Sequence, residues 1–167
     1  MNSFFYILIP ICLAIIINAF MYSNYPKNSS EEQTIKHSTN NSYLPPGYVI
    51  GIVWTILLGL MGYVYALLEK QSTKNKSYGL QKITILFLIL FCLGYPIITR
   101  NTSFRFSKNY NYATLFVVCI VYAIINQASR QIAYYLIPLL CWVFYVNLIT
   151  LLDDLHVIQA FSSLENK

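Results

Sequence analysis

Polar and apolar residues in this chain are sorted into long blocks rather than alternating. Five stretches contain no Asp, Glu, Lys, Arg or His: Phe4 to Met21, Gly47 to Leu68, Ile83 to Thr99, Tyr112 to Ser129 and Ile132 to Leu152. A helix needs about 20 mainly apolar residues to cross a bilayer, and all five meet or approach that length. One charge at the centre of a span would cost roughly 2.5 to 3.5 kcal/mol, so this segregation is what repeated membrane crossing requires. A β-barrel would instead show alternation in segments of about ten residues, and none is present. The pattern predicts an all-α, multi-pass integral membrane protein: five transmembrane helices in a bundle, one domain over 1–167, with a long polar loop at 24–44.

The first stretch could also be read as a secretory signal, which carries a basic leading segment and a short apolar core. Here the basic segment is missing and the apolar run is longer, so a retained span is expected, interrupted by Pro10 and Asn18. The loop that follows is rich in Asn and Ser, and loops of that length inside compact proteins are usually functional or disordered.

Composition narrows the partners. Charged residues make up 10% of the 167 residues, against about 25% in ordinary soluble domains. The net charge of +5 comes from 11 Lys and Arg against 6 Asp and Glu, yet no basic stripe or basic helix face forms, so nucleic acid is not an expected partner. The lipid bilayer is. Five basic residues (Lys70, Lys74, Lys76, Lys82 and Arg130) fall on the side of the N-terminus, and six (Lys27, Lys36, Arg100, Arg105, Lys108 and Lys167) on the other. That near-equality sets no orientation by the excess of positive charge. Cys12, Cys92, Cys119 and Cys141 each lie in apolar sequence without a C-x-x-C spacing, and read as apolar fillers rather than metal ligands or disulfides.

No catalytic or metal-binding constellation is visible. His37 and His156 lie in polar sequence outside the apolar runs. Proton-coupled carriers place ionisable groups at membrane depth, and hydrolase, kinase and Gly-rich nucleotide signatures are also missing. What remains inside the spans is aromatic and weakly polar chemistry.

The richest stretch runs from Tyr43-Leu44-Pro45-Pro46-Gly47-Tyr48 through Gly51, Ile52, Val53, Trp54 and Thr55 to Leu60-Met61-Gly62-Tyr63. Two prolines end the loop and start a helix behind them, because a first-turn N–H has no helical partner to lose. Gly47 and Gly51 form a G-x-x-x-G pair that would admit a neighbouring helix closely. Tyr48, Ile52 and Thr55 share a face by spacing. Read alone, this is an interfacial aromatic belt with a packing glycine.

The same residues resemble the translocator protein or tryptophan-rich sensory protein family (TspO/MBR), whose first loop ends in a pattern close to W-x-P-P-G-W-V-F-G-P-V-W-T followed by L-M-G. Pro45, Pro46, Gly47, Val49, Gly51, Val53, Trp54, Thr55, Leu60, Met61 and Gly62 occupy that pattern. Ala133, Leu136, Pro138 and Trp142 resemble the family's A-x-x-L-x-P-Y-x-x-W arrangement in span five. There are departures: Tyr48 and Ile52 stand where the family favours Trp and Pro. Leu88, Cys92 and Tyr95 replace a Q-x-x-x-N-x-x-W pattern, and Val146 and Thr150 replace a small residue and an Asn. The proposed sterol motif needs a basic residue soon after a Tyr. Tyr145 is followed by Val-Asn-Leu-Ile-Thr, so sterol binding is not carried over.

The resemblance implies a five-helix bundle with an internal cavity for flat hydrophobic ligands. It implies a binding protein for porphyrin, haem or a similar tetrapyrrole, acting in sensing, trafficking or stress regulation, with no required cofactor and with a homodimer as a possible assembly. The alternatives are a porphyrin-degrading enzyme and a carrier or scaffold without a pocket. The candidate ligand residues are Tyr48, Ile52, Tyr95, Trp142, Tyr145 and Val146. Pro138, Trp142, Tyr145 and Ile149 recur on one helical face of span five, as do Phe87, Phe91 and Tyr95 in span three, although lipid contact is the simpler reading of Phe87 and Phe91. Tyr25 and Tyr43 in the long loop are candidate lid contacts. Asn18, Asn126, Gln127 and Asn147 are expected to make interhelical hydrogen bonds.

Overall fold

The computed structural model describes residues 3–23, 45, 47–72, 78–101 and 104–165. All the regular structure in them is helical: α1 (Ser3–Ser23), α2 (Gly47–Ser72), α3 (Gly79–Asn101), α4 (Phe104–Ala128), then a fifth span built from α5 (Arg130–Ala133), a 3-10 turn (Tyr134–Leu136) and α6 (Ile137–Glu165). Four helical segments are long and apolar enough to cross a membrane, and Phe4–Phe20 of α1 adds a shorter apolar one. The chain is a five-helix, multi-pass integral membrane bundle. The long loop with Tyr25 and Tyr43, and His37 with it, lies outside the described residues. The final helix continues beyond the apolar span, so His156 stands on α6.

The break in the fifth span follows from one residue. In an unbroken α-helix the N–H of residue 138 would bond to the Tyr134 carbonyl, but Pro138 has no N–H. The Ile137 N–H takes that carbonyl instead, and this tighter bond is the 3-10 geometry. Between α4 and the fifth span only Ser129 intervenes, in extended conformation. Its N–H bonds to the Ile125 carbonyl at 2.8 Å and its own carbonyl receives the Ala133 N–H at 3.1 Å, so the chain reverses in one residue.

Met61, Leu68, Ile85, Leu88, Ile125, Leu136 and Leu139 are fully buried and belong to one hydrophobic cluster. Cys92 belongs to this core, which accounts for the missing amide pattern of span three: Leu88 and Cys92 sit where an amide would need a buried partner. The tightest helix contact is between α1 and α2. A Cβ on Gly62 would collide with the Tyr6 carbonyl oxygen and lie 3.1 Å from the Ile7 Cα, and one on Gly59 would lie 3.0 Å from the Ile11 Cδ1. The close approach expected at the Gly47 and Gly51 pair is absent from Gly51, where a Cβ would meet nothing within 4 Å.

Asn147 is buried and its Nδ2 donates to the Asn111 carbonyl on α4 at 3.2 Å and to the Val143 carbonyl at 2.8 Å. This is the interhelical role expected of it. Asn18, Asn126 and Gln127 make no such bond among the described residues. Asn126 and Gln127 are exposed in the last turn of α4, where the helix leaves the membrane and amides can be solvated.

Candidate functional site

The second and fifth spans run antiparallel and do not stay together. α2 meets α5 and the 3-10 turn closely, whereas close contact between α2 and the body of α6 is sparse. Beyond Tyr63, whose ring meets Tyr135 edge-on at 5.1 Å, the two helices part and leave a groove of about 500 Å³. One wall is Val53, Ile56, Leu57 and Leu60 of α2; the other is Pro138, Cys141, Trp142 and Tyr145 of α6. Both walls have the spacing i, i+3, i+4, i+7, the side of a helix that one neighbour can see. Where the resemblance implied an internal cavity, this hollow is an open lateral groove between α2 and α6.

The lining carries no charge. Its side chains carry three polar groups, the Tyr145 hydroxyl, the Cys141 thiol and the Trp142 indole N–H; Trp142 Nε1 is shielded from solvent and has no hydrogen-bond partner among the described residues. The Trp142 and Tyr145 rings lie 5.7 Å apart, tilted by 35°. Aromatic rings of this kind offer broad apolar faces with a polar handle at the edge, which suits a flat, mainly apolar ligand with a few polar substituents.

The six sequence-derived site residues do not converge. Trp142 and Tyr145 line the groove. Tyr48 is 68% exposed and Ile52 58% exposed, on the turns of α2 before the groove begins at Val53. Val146 is half-buried on α6 outside the lining. Tyr95 faces the other side of α2, stacked on Trp54 with centroids 6.0 Å apart and ring planes 26° apart. There it joins a second aromatic cluster: Tyr110 lies 5.7 Å from Tyr95 and 4.6 Å from Phe91, and its hydroxyl donates to the Phe91 carbonyl at 2.8 Å. Phe87 is exposed and Ile149 is buried in the core, so neither extends the groove.

Val53, Ile56, Leu57, Leu60 and Cys141 were not legible as site residues. The signal for them is relational: the α6 face of Pro138, Cys141, Trp142 and Tyr145 needs an antiparallel partner face of equal spacing, and α2 supplies it.

Comparison with known proteins agrees with this architecture. The chain is 33% identical over 110 residues to the tryptophan-rich protein TspO of Bacillus cereus, an alignment covering 60% of this chain and 65% of that relative. It thus spans somewhat less than two thirds of the relative's length. No solved structure matches the chain. The model of the TspO/MBR family matches residues 6–152, through all five spans, and the chain belongs to the TspO/MBR family.

Proposed function

We propose that the groove between the second and fifth spans binds a planar hydrophobic ligand of the porphyrin class, and that the protein is a membrane receptor for that ligand in sensing, trafficking or stress regulation. The observation that carries this reading is the charge-free groove of about 500 Å³ with the paired rings of Trp142 and Tyr145 on one wall. Its size falls in the range of roughly 300 to 1,000 Å³ typical of small-molecule sites. Its apolar α2 wall would cover one macrocycle face while the rings stack on the other. The indole N–H of Trp142, without a partner among the described residues, is a donor for a carboxylate substituent at the macrocycle's edge once the side chain turns toward the groove.

The test is a titration of the purified protein in detergent with protoporphyrin and haemin, followed by absorbance and tryptophan quenching. Saturable binding is expected. Aromatic pairs contribute about 0.5 to 1.5 kcal/mol beyond burial of their area, so Trp142→Ala should weaken binding by roughly tenfold or more. Trp54→Phe, altered on the flank of α2 that faces Tyr95 and outside the groove lining, should leave the affinity unchanged. Equal affinities for Trp142→Ala and the unmodified protein would overturn the assignment.

A further inference from the structure

The seam between α2 and the fifth span holds a second cleft, on the far side of the Tyr63 and Tyr135 contact. It has a volume of about 570 Å³ and is lined by Leu67, Gln71, Gln131, Ile132, Tyr134 and Tyr135. Its place is the membrane boundary, since α2 ends at Ser72 and the fifth span begins at Arg130. Its chemistry is divided accordingly: Leu67 and Ile132 are apolar, while two amides and two phenols supply donors.

These four polar side chains make no hydrogen bond to the rest of the protein among the described residues. Tyr135 touches Tyr63 only through its ring, and Tyr134 carries the Arg130 guanidinium 5.9 Å from its ring centroid. Arg130 is the chain neighbour of the cleft amide Gln131, and its guanidinium lies against the Tyr134 ring, so a positive charge stands beside the cleft. The nearest carboxylate along α2 is Glu69, already neutralised by the Lys82 ammonium at 2.9 Å. An aromatic belt alone accounts for tyrosines at this depth. It does not account for a concave site lined by two amides and two phenols with a guanidinium beside one of those phenols.

We propose that this cleft seats the phosphate-bearing headgroup of an anionic phospholipid, with its acyl chains remaining in the bilayer. The guanidinium of Arg130 recognises the phosphate through charge-assisted hydrogen bonds. Gln71, Gln131 and the tyrosine hydroxyls bind the remaining phosphate and glycerol oxygens. The surrounding positive charge disfavours a headgroup that carries its own cation.

The experiment measures retained lipid by native mass spectrometry, and thermal stabilisation in detergent, with phosphatidylglycerol, phosphatidylcholine or glycerol 3-phosphate added. Phosphatidylglycerol should be retained in preference to phosphatidylcholine and should raise the melting midpoint saturably. Arg130→Gln should lower retention of phosphatidylglycerol by roughly tenfold, the loss of one charge-assisted bond, and abolish the preference between the lipids. Gln71→Leu combined with Gln131→Leu should lower retention of both. Helical circular dichroism of each variant reports its fold, and all three positions are exposed or half-exposed, so the helices persist. Trp142→Ala should leave lipid retention unchanged, which separates this site from the porphyrin groove. Equal retention of both lipids by the unmodified protein, or full retention by Arg130→Gln, would overturn the proposal. Protection by glycerol 3-phosphate with no gain from the intact lipid would also overturn it, since the site would then recognise a free phosphate ester.

Discussion

Replacing Gly62 by alanine tests the packing of the bundle at its narrowest point. The added methyl would collide with the Tyr6 carbonyl oxygen and approach the Ile7 Cα and Tyr6 carbonyl carbon to 3.1 Å. All three atoms are backbone, so no side chain can rotate away and α1 must shift as a body. Overpacking of this kind costs typically 1 to 3 kcal/mol, and the upper half of that range applies where backbone has to move. Alanine recovers about 1 kcal/mol of helix propensity over glycine, which leaves a net loss of about 1 to 2 kcal/mol. Gly59→Ala is the internal control, because its methyl would meet only side chains: Ile11 Cδ1 and Cγ1 at 3.0 and 3.3 Å, and Ile7 Cγ2 at an ordinary 3.9 Å. Rotation of the Ile11 side chain relieves the contact, and the propensity gain makes the variant neutral or slightly stabilising. Reversible unfolding in mixed micelles of increasing dodecyl sulfate content, followed by tryptophan fluorescence, measures both. Gly62→Ala should lower the folded-to-unfolded ratio by roughly 5- to 30-fold and Gly59→Ala should not. A Gly62→Ala variant as stable as the unmodified protein, or the reverse ranking of the two, would refute the α1 to α2 register described here.

Other outcomes follow from the same contacts. Asn147→Leu removes the bond to the Asn111 carbonyl that ties α6 to α4; an average loss of about 0.6 kcal/mol, with about 1.7 as the upper bound, is expected in the same unfolding assay. Ile56→Trp places a bulky ring in the groove wall without touching the core, so protoporphyrin titration should show weakened binding while the unfolding midpoint changes little. Glu69→Gln breaks the ion pair with Lys82; its small effect on stability should be visible at low salt and vanish at high salt, as screening of a partly exposed pair requires.

The spans were legible because insertion energetics act on residue type alone: a charge at membrane depth is costly wherever neighbouring helices lie. The ends were less so. α2 extends through Glu69 and Lys70 to Ser72, and α4 starts at Phe104, before Lys108, because a helix can continue into the interface once its backbone bonds are formed. Helix faces were harder still. Tyr48 and Ile52 fall within a family-like stretch, as departures from its pattern, and fit a helical stripe, yet they lie on an exposed part of α2. Trp54, in the same pattern, turns toward α3 and stacks on Tyr95. A stripe gives the angular position of residues relative to one another, not which neighbour they meet. The GxxxG reading failed for the same reason: Gly47 and Gly51 have the spacing for close approach, but α1 crosses α2 at Gly59 and Gly62.

The groove depends on backbone events at one end of the seam. Ser129 turns the chain in a single residue, which brings Arg130 to Leu136 against α2, and the Tyr63 and Tyr135 rings close that contact. Pro138, by removing one helical hydrogen bond, marks where the fifth span changes from its tight first turns to the regular helix that departs from α2. Divergence after a fixed contact opens a wedge, and the residues facing it are those one to three turns beyond the pinch on each helix. Pro138 to Tyr145 and Leu60 to Val53 satisfy that condition. Tyr48 lies too far along α2, and Tyr95 is on the wrong helix. Trp142 is thus a groove residue through its distance from the pinch as well as through its chemistry, and that distance is a property of the fold rather than of the local pattern.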